Sequence, residues 1–147
     1  MTNDPLAAYF SVFIAYSGKD QDLARRLHDD LQNAGIRTWF APQDLKAGER
    51  IRDAIDQAIR RHDKILLILS ESSVESLWVE QEVETALEKE REEDRLVLIP
   101  IRIDDSVMST RESWATKLRR QRHIRNFSHW MEEGAYHSMI KFFLLAI

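Results

Sequence analysis

Residues 64–69 read Lys-Ile-Leu-Leu-Ile-Leu, five apolar side chains in a row behind one lysine. A run of that length without polar alternation fits a strand covered on both faces. Upstream, Arg50–Arg61 places Ile51, Ala54, Ile55, Ala58 and Ile59 on one helical face. Before it, Pro42–Glu49 is a polar loop containing Gly48, and Ile36–Ala41 is a strand that Pro42 stops. Gly35 sits where a helix C-cap glycine belongs, closing a helix over Asp20–Ala34 with Leu23, Leu27 and Leu31 as its stripe. Tyr9–Ala15 is another short apolar strand, ending at Ser17-Gly18. Downstream, Ser70–Ser76 reads as a polar loop, Leu77–Arg91 as a helix and Leu96–Ile103 as a strand, with Pro100 hinting at its end or a bulge. Asp104–Lys117 is irregular or partly helical, Arg122–Phe127 is a short, edge-like fifth strand, and Trp130–Ile147 is a last helix.

Strands that alternate with helices and read as continuous apolar runs specify an α/β domain with a parallel sheet covered on both faces. Five such units predict the flavodoxin-like doubly wound order 2-1-3-4-5. Ligands on such sheets bind beyond the carboxyl ends of the strands, at the switch point between strands 1 and 3. The loops around that point are Tyr16–Lys19, Pro42–Glu49 and Ser70–Ser76.

The whole chain, 147 residues with 44% hydrophobic side chains, suits one domain with a real core, spanning about residues 9–143. With no cysteine, a disulfide scaffold, a thiolate metal site and a cysteine nucleophile are excluded. The four glycines, Gly18, Gly35, Gly48 and Gly134, lie far apart, so there is neither a dinucleotide fingerprint nor a P-loop. The five histidines are scattered without metal-ligand spacing, and no metal is expected. A net charge of −4 argues against nucleic acid as partner, and the basic run Arg111–Arg125 reads as a solvated surface. No run of about 18 apolar residues is present and the N-terminus has no leader pattern, so no membrane partner and a cytoplasmic location are expected.

Two common chemistries of the fold fail on residues. A response-regulator receiver needs an acidic pair after strand 1 and a phosphoacceptor Asp after strand 3; here those positions read Ala15-Tyr16-Ser17 and Leu69-Ser70-Glu71. A flavodoxin needs a Ser/Thr/Gly-rich phosphate loop, and Ser17-Gly18-Lys19-Asp20 is too sparse; Asp20 reads as a helix N-cap or first-turn acid.

Four segments together carry a resemblance. They are Val12-Phe13-Ile14-Ala15-Tyr16-Ser17-Gly18-Lys19-Asp20, Trp39–Glu49, Ser70–Glu82 and Asn126-Phe127-Ser128-His129-Trp130. In this order and spacing the chain resembles a bacterial TIR (Toll/interleukin-1 receptor) domain over nearly its whole length. The resemblance implies cleavage of NAD+ at the nicotinamide–ribose bond, with NAD+ as substrate and no cofactor. The product would be ADP-ribose or a cyclic or conjugated form, in bacterial anti-phage defence. The family's W-x-x-x-E element falls on Trp78 to Glu82, which makes Glu82 the implied catalytic carboxylate and Trp78 a wall of the pocket. Tyr16, Ser17 and Gly18 would contact the nicotinamide end and the phosphates. Asp44, Leu45 and Gly48 match the D-L/I-x-x-G pattern of the family's BB loop, which closes over NAD+ and contacts a neighbouring TIR domain in head-to-tail assembly. Phe127 would stack on adenine or serve the core. Some NAD+-cleaving members carry an Asp where this chain has Ala41, which leaves a second polar contact to ribose unassigned.

The residues themselves agree with the placement of Glu82. Val79, Val83, Ala86 and Leu87 form the helix's core stripe, and Trp78 and Glu82 share the face beside it, at about 100° per residue. One carboxylate suffices for an oxocarbenium-like transition state when the leaving group departs neutral from a cationic precursor. The alternative is a non-catalytic TIR–TIR interaction module or a mimic of host signalling. A chain of this length leaves no room for a sensor. Regulation is then expected from self-assembly, a separate sensor or effector protein, or a further C-terminal domain.

Overall fold

The computed structural model describes residues 11–40 and 57–146. The expected loop Pro42–Glu49 and most of the expected helix Arg50–Arg61 lie outside them, as do Tyr9, Phe10 and Ala41. Five strands form one parallel sheet: β1 (Ser11–Ala15), β2 (Arg37–Phe40), β3 (Lys64–Leu69), β4 (Leu98–Arg102) and β5 (Arg125–Asn126). Their spatial order is β2-β1-β3-β4-β5, the doubly wound order expected. Around the sheet run α1 (Gln21–Asn33), α2 (described over 57–61), α3 (Glu71–Val74), α4 (Leu77–Glu93), α5 (Ser106–Ser109), α6 (Ser113–Gln121) and α7 (Glu133–Ala146).

The strands bury both faces, and the alternation is visible residue by residue. In β1 and β3, Phe13, Ala15, Ile65, Leu67 and Leu69 pack under α2, α4 and α6. Val12, Ile14, Leu66 and Ile68 point the other way, under α1 and α7. This explains why these strands show no polar alternation. Pro100 lies within β4 rather than at its end, and β5 pairs only with Ile101 and Arg102 beyond it. The edge left uncovered before that point is sealed by Arg122, whose Nη1 donates to the Leu98 carbonyl at 2.8 Å.

Four local features are decided by specific groups. Helix α1 ends as the sequence predicts: Gly35 has φ +87, its N–H donates to the Gln32 carbonyl at 3.0 Å, and the Ile36 N–H donates to Leu31 at 2.9 Å. The stretch Ser70–Ser76 is not all loop. Ser70 Oγ accepts the Ser73 N–H, while Ser73 Oγ accepts the Ser70 N–H at 2.6 Å, and this capping box nucleates the single turn of α3. Asp104–Lys117 resolves into α5 and α6. Helix α7 starts at Glu133, not Trp130, because the chain after β5 first makes a turn closed by the Glu132 N–H on the His129 carbonyl, 2.9 Å.

The carboxyl half of α4 is tied to the fold on two flanks. Lys89 is buried, and its ammonium donates to the carbonyls of Ile59, Arg60 and His62, closing the end of α2. The adjacent Glu90 faces the sheet. Its Oε2 accepts the N–H groups of Val97 (2.9 Å) and Leu98 (2.8 Å), and the carboxylate takes a two-pronged bond from Arg122 at 2.7 and 2.5 Å. Among the described residues no helix is long and apolar enough to cross a membrane.

Candidate active site

Helix α4 turns Val79, Val83 and Ala86 into the core, and the same turn carries Glu82 inward beside them. Glu82 is 1% exposed, and its Oε1 has no hydrogen-bond partner. Burial alone pushes this carboxyl up from its ordinary value to about 8. A buried carboxyl that no donor satisfies costs stability, and native structures keep such groups mainly where chemistry or binding uses them. Trp78, one turn earlier, is half-buried and packs against the same core cluster. The two residues read from sequence as sharing a face thus lie one turn apart on α4.

Tyr16 and Phe127 are placed elsewhere. Both are buried in the other core cluster, beneath α1 and α7, with Phe127 only 1% exposed. The Phe127 ring therefore packs as core in this structure, beside Tyr136 and Phe143 in the same cluster. Ser17 is half-buried after β1; its carbonyl accepts the Asp20 N–H at 2.8 Å, and its side chain caps nothing. Gly18 is exposed at the start of the short 3-10 turn Gly18–Asp20. Asp44, Leu45 and Gly48 lie outside the described residues.

The loops after β1, β3 and β4 meet in a polar network that sequence reasoning missed. Asp20 stands at the N-cap position of α1 but makes no cap bond. It is instead the acceptor for Ser70 Oγ, at 2.5 Å across the switch point. Burial and the nearby Asp104 hold the Asp20 carboxyl above its ordinary value, against the opposing pull of the Ser70 bond and Lys19. Asp104 in turn accepts the N–H groups of Glu71 and Ser106, both at 2.9 Å. The signal available was the repeated serine at spacing three right after a buried strand, which fits a cap better than a loop.

One cleft among the described residues lies on the opposite flank of α4. Glu80, about 160° around the helix from Glu82, lines its volume of about 220 Å³ with Trp114 and Glu112. The basic run is partly internal: Arg119 Nη1 donates to the carbonyls of Val107 (2.7 Å) and Thr110 (3.1 Å), and Arg122 holds Glu90. Among the described residues, no three His, Asp or Glu side chains gather as a metal site.

Comparison with known proteins now adds to this geometry. The chain is 27% identical over 94 residues to the NAD(+) hydrolase TcpC of Escherichia coli O6:H1 (strain CFT073), a match covering 63% of this chain and 31% of that protein. It is 28% identical over 90 residues to the 2' cyclic ADP-D-ribose synthase BtTIR of Bacteroides thetaiotaomicron, covering 60% of this chain and 31% of that one. The matched region is thus about a third of the length of either relative. Among solved structures, the TIR domain of the Toll-related receptor TRR-2 from Hydra magnipapillata superposes with a TM-score of 0.65 at 15% identity, covering 92% of this chain and 95% of that one, and so shares its fold. The family model described as "TIR domain" matches residues 12–140, nearly all of the sheet and its helices, and the chain belongs to the TIR domain family.

Proposed function

We propose that this chain cleaves NAD+ at the nicotinamide–ribose bond, with Glu82 as the catalytic carboxylate. The observation that carries the reading is the buried, unpartnered carboxyl of Glu82 beside Trp78, in the position of the family's W-x-x-x-E element. The names of the two curated relatives, an NAD+ hydrolase and a cyclic ADP-ribose synthase, support the same reaction class. In this scheme the C1′–N bond breaks with its electron pair passing to the pyridinium nitrogen, so nicotinamide leaves neutral without a general acid. The ribose becomes oxocarbenium-like, and ionised Glu82 stabilises that charge and accepts hydrogen bonds from ribose hydroxyls. Oxygen from water, or a nucleophile within the same molecule, then bonds to C1′ and a proton is released, giving ADP-ribose or a cyclic isomer. Trp78 walls the pocket, and Ser17 and Gly18 face the nicotinamide end and the phosphates, while Tyr16, buried in the other core cluster, has no side-chain role in this scheme. Asp44, Leu45 and Gly48 close over the substrate and contact a neighbouring TIR domain. The biological setting we propose, signalling in bacterial anti-phage defence, follows from the family resemblance.

The test is to incubate clustered protein with NAD+, resolve the products chromatographically, and run Glu82→Gln beside it. Wild type should release nicotinamide, and the variant should lose at least 100-fold in rate, equivalent to about 2.7 kcal/mol of transition-state stabilisation. Wild type that is inert when clustered, or a fully active Glu82→Gln, overturns the proposal.

A further inference from the structure

One side-chain bond joins the loops after β1 and β3, and further bonds lead from it to the helix that bears Glu82. Asp20 stands at the N-cap of α1, where a carboxylate ordinarily accepts an N–H of the first turn. It forgoes that bond and accepts Ser70 Oγ at 2.5 Å instead, with both side chains buried. The bond persists although burial and the nearby Asp104 both disfavour the charge on Asp20. The backbone of Asp20 grips the loop before it, its N–H donating to the Ser17 carbonyl at 2.8 Å. Ser70 is itself a fixed post. The Leu69 carbonyl before it accepts the Ile103 N–H at 3.0 Å, and the Glu71 N–H after it donates to Asp104 at 2.9 Å. From Ser70 the relay continues without a gap. Ser70 Oγ accepts the Ser73 N–H at 3.3 Å, and the Ser73 carbonyl accepts the Ser76 N–H at 3.0 Å. Ser76 is the N-cap residue of α4, whose first turn carries Trp78 and whose second carries Glu82.

We propose that Asp20 and Ser70 are positioning residues that set the span between the Ser17-Gly18 loop and Glu82, so that both hold one dinucleotide at once. This role rests on the NAD+-cleaving reading of Glu82 given above. Neither side chain touches the reacting atoms. Ligands on a doubly wound sheet lie across the carboxyl ends of the strands at the switch point, which the Asp20–Ser70 bond spans. One anchor for the substrate sits on the β1 loop and the other on α4. Binding needs each anchor, whereas reaction needs their separation to be right within a fraction of an ångström. With the bond broken, each loop keeps its own contacts and the dinucleotide still binds. It is then held less often with the ribose carbon against Glu82. The loss therefore falls on kcat and largely spares KM.

Steady-state kinetics of the clustered whole chain with NAD+, joined to amide hydrogen exchange read residue by residue, test this role. Rates are normalised to the folded fraction from circular dichroism melts. Asp20→Ala and Ser70→Ala should each lower kcat by about tenfold or more and change KM by less than about threefold. Asp20→Asn keeps an acceptor of the same shape for the Ser70 hydroxyl, and its kcat should stay within about threefold of wild type. The double variant Asp20→Ala with Ser70→Ala should be no slower than the slower single one, because both break the same bond. Exchange reads the relay without catalysis. Asp20→Ala should speed exchange at Ser73, Ser76 and Glu82 by about threefold or more, and Asp20→Asn should not. Wild type inert towards NAD+ overturns the function proposed above, and exchange alone then decides whether Asp20 sets the place of Glu82. Faster exchange confined to residues 17–22, losses that add in the double variant, KM raised as much as kcat falls, or Asp20→Asn as slow as Asp20→Ala would each overturn the positioning role.

Discussion

Glu82 and Glu90 sit two turns apart on one helix and respond to protons in opposite directions. Glu82 is buried without a partner, so its carboxyl in the folded chain is raised to about 8. The unfolded chain ionises it near 4.5, and folding therefore loses stability as pH rises from about 4.5 towards 8. Glu82→Gln escapes this loss. At pH 7.5 it should be more stable than wild type by about 1–4 kcal/mol, and the gain should vanish below pH 4.5, as followed by thermal melts across pH. If Glu82 works as proposed, kcat/KM for NAD+ should climb with pH up to about 8 and then level, because the ionised form is required. Glu90 is also pushed up by burial, but the Arg122 bond and the N–H groups of Leu98 and Val97 outweigh that push and hold it below its ordinary value. Its contribution to stability is present above about pH 4.5 and fades as pH falls below that. Glu90→Gln should cost about 2–4 kcal/mol at pH 7, with the gap to wild type closing in acid.

At the scale of elements, the helix ends are where single groups decide the chain path. Gly35 ends α1 with φ +87, and a Cβ built there would touch nothing within 4 Å. Gly35→Ala should therefore cost only the backbone strain of the left-handed region, about 1–2 kcal/mol in chemical denaturation, with the fold intact. A larger loss would mean that the turn also excludes side-chain volume. The α3 turn rests on a different device, the reciprocal bonds of Ser70 and Ser73. The same Ser70 hydroxyl donates to Asp20, so one side chain serves a helix cap and the join between β1 and β3.

For the whole molecule, the sheet was the legible part and the polar joins were not. Lys64–Leu69 is a strand over the residues expected, because the five positions after Lys64 are buried on alternate faces and leave no room for polar side chains. The five-strand order followed from the alternation of elements, down to the two-residue β5. Ser70–Ser76 was misread because a cap depends on which N–H groups are left without partners, and composition does not state that. Glu82 shows both sides of the matter. Its place beside the core stripe could be read from spacing, but among seven glutamates between 80 and 93 nothing local marked it as the one fully enclosed. Burial of a charge is set by what packs over it, and that comes from distant segments.

The bonds made by Lys89 and Glu90 make α4 behave as a rod clamped at one end. Adjacent side chains grip opposite flanks, so the rod can neither roll nor slide at that point, and the clamp lies about 12 Å along the axis from Glu82. Torsional play should therefore grow towards the amino end, where Trp78 and Glu82 stand. Amide hydrogen exchange should be slowest over residues 86–93 and quicken towards 79–82, and Lys89→Met should flatten that gradient by speeding exchange at the clamped end. Uniform protection along α4 in the wild-type chain would show that the sheet, not the clamp, governs how the helix moves.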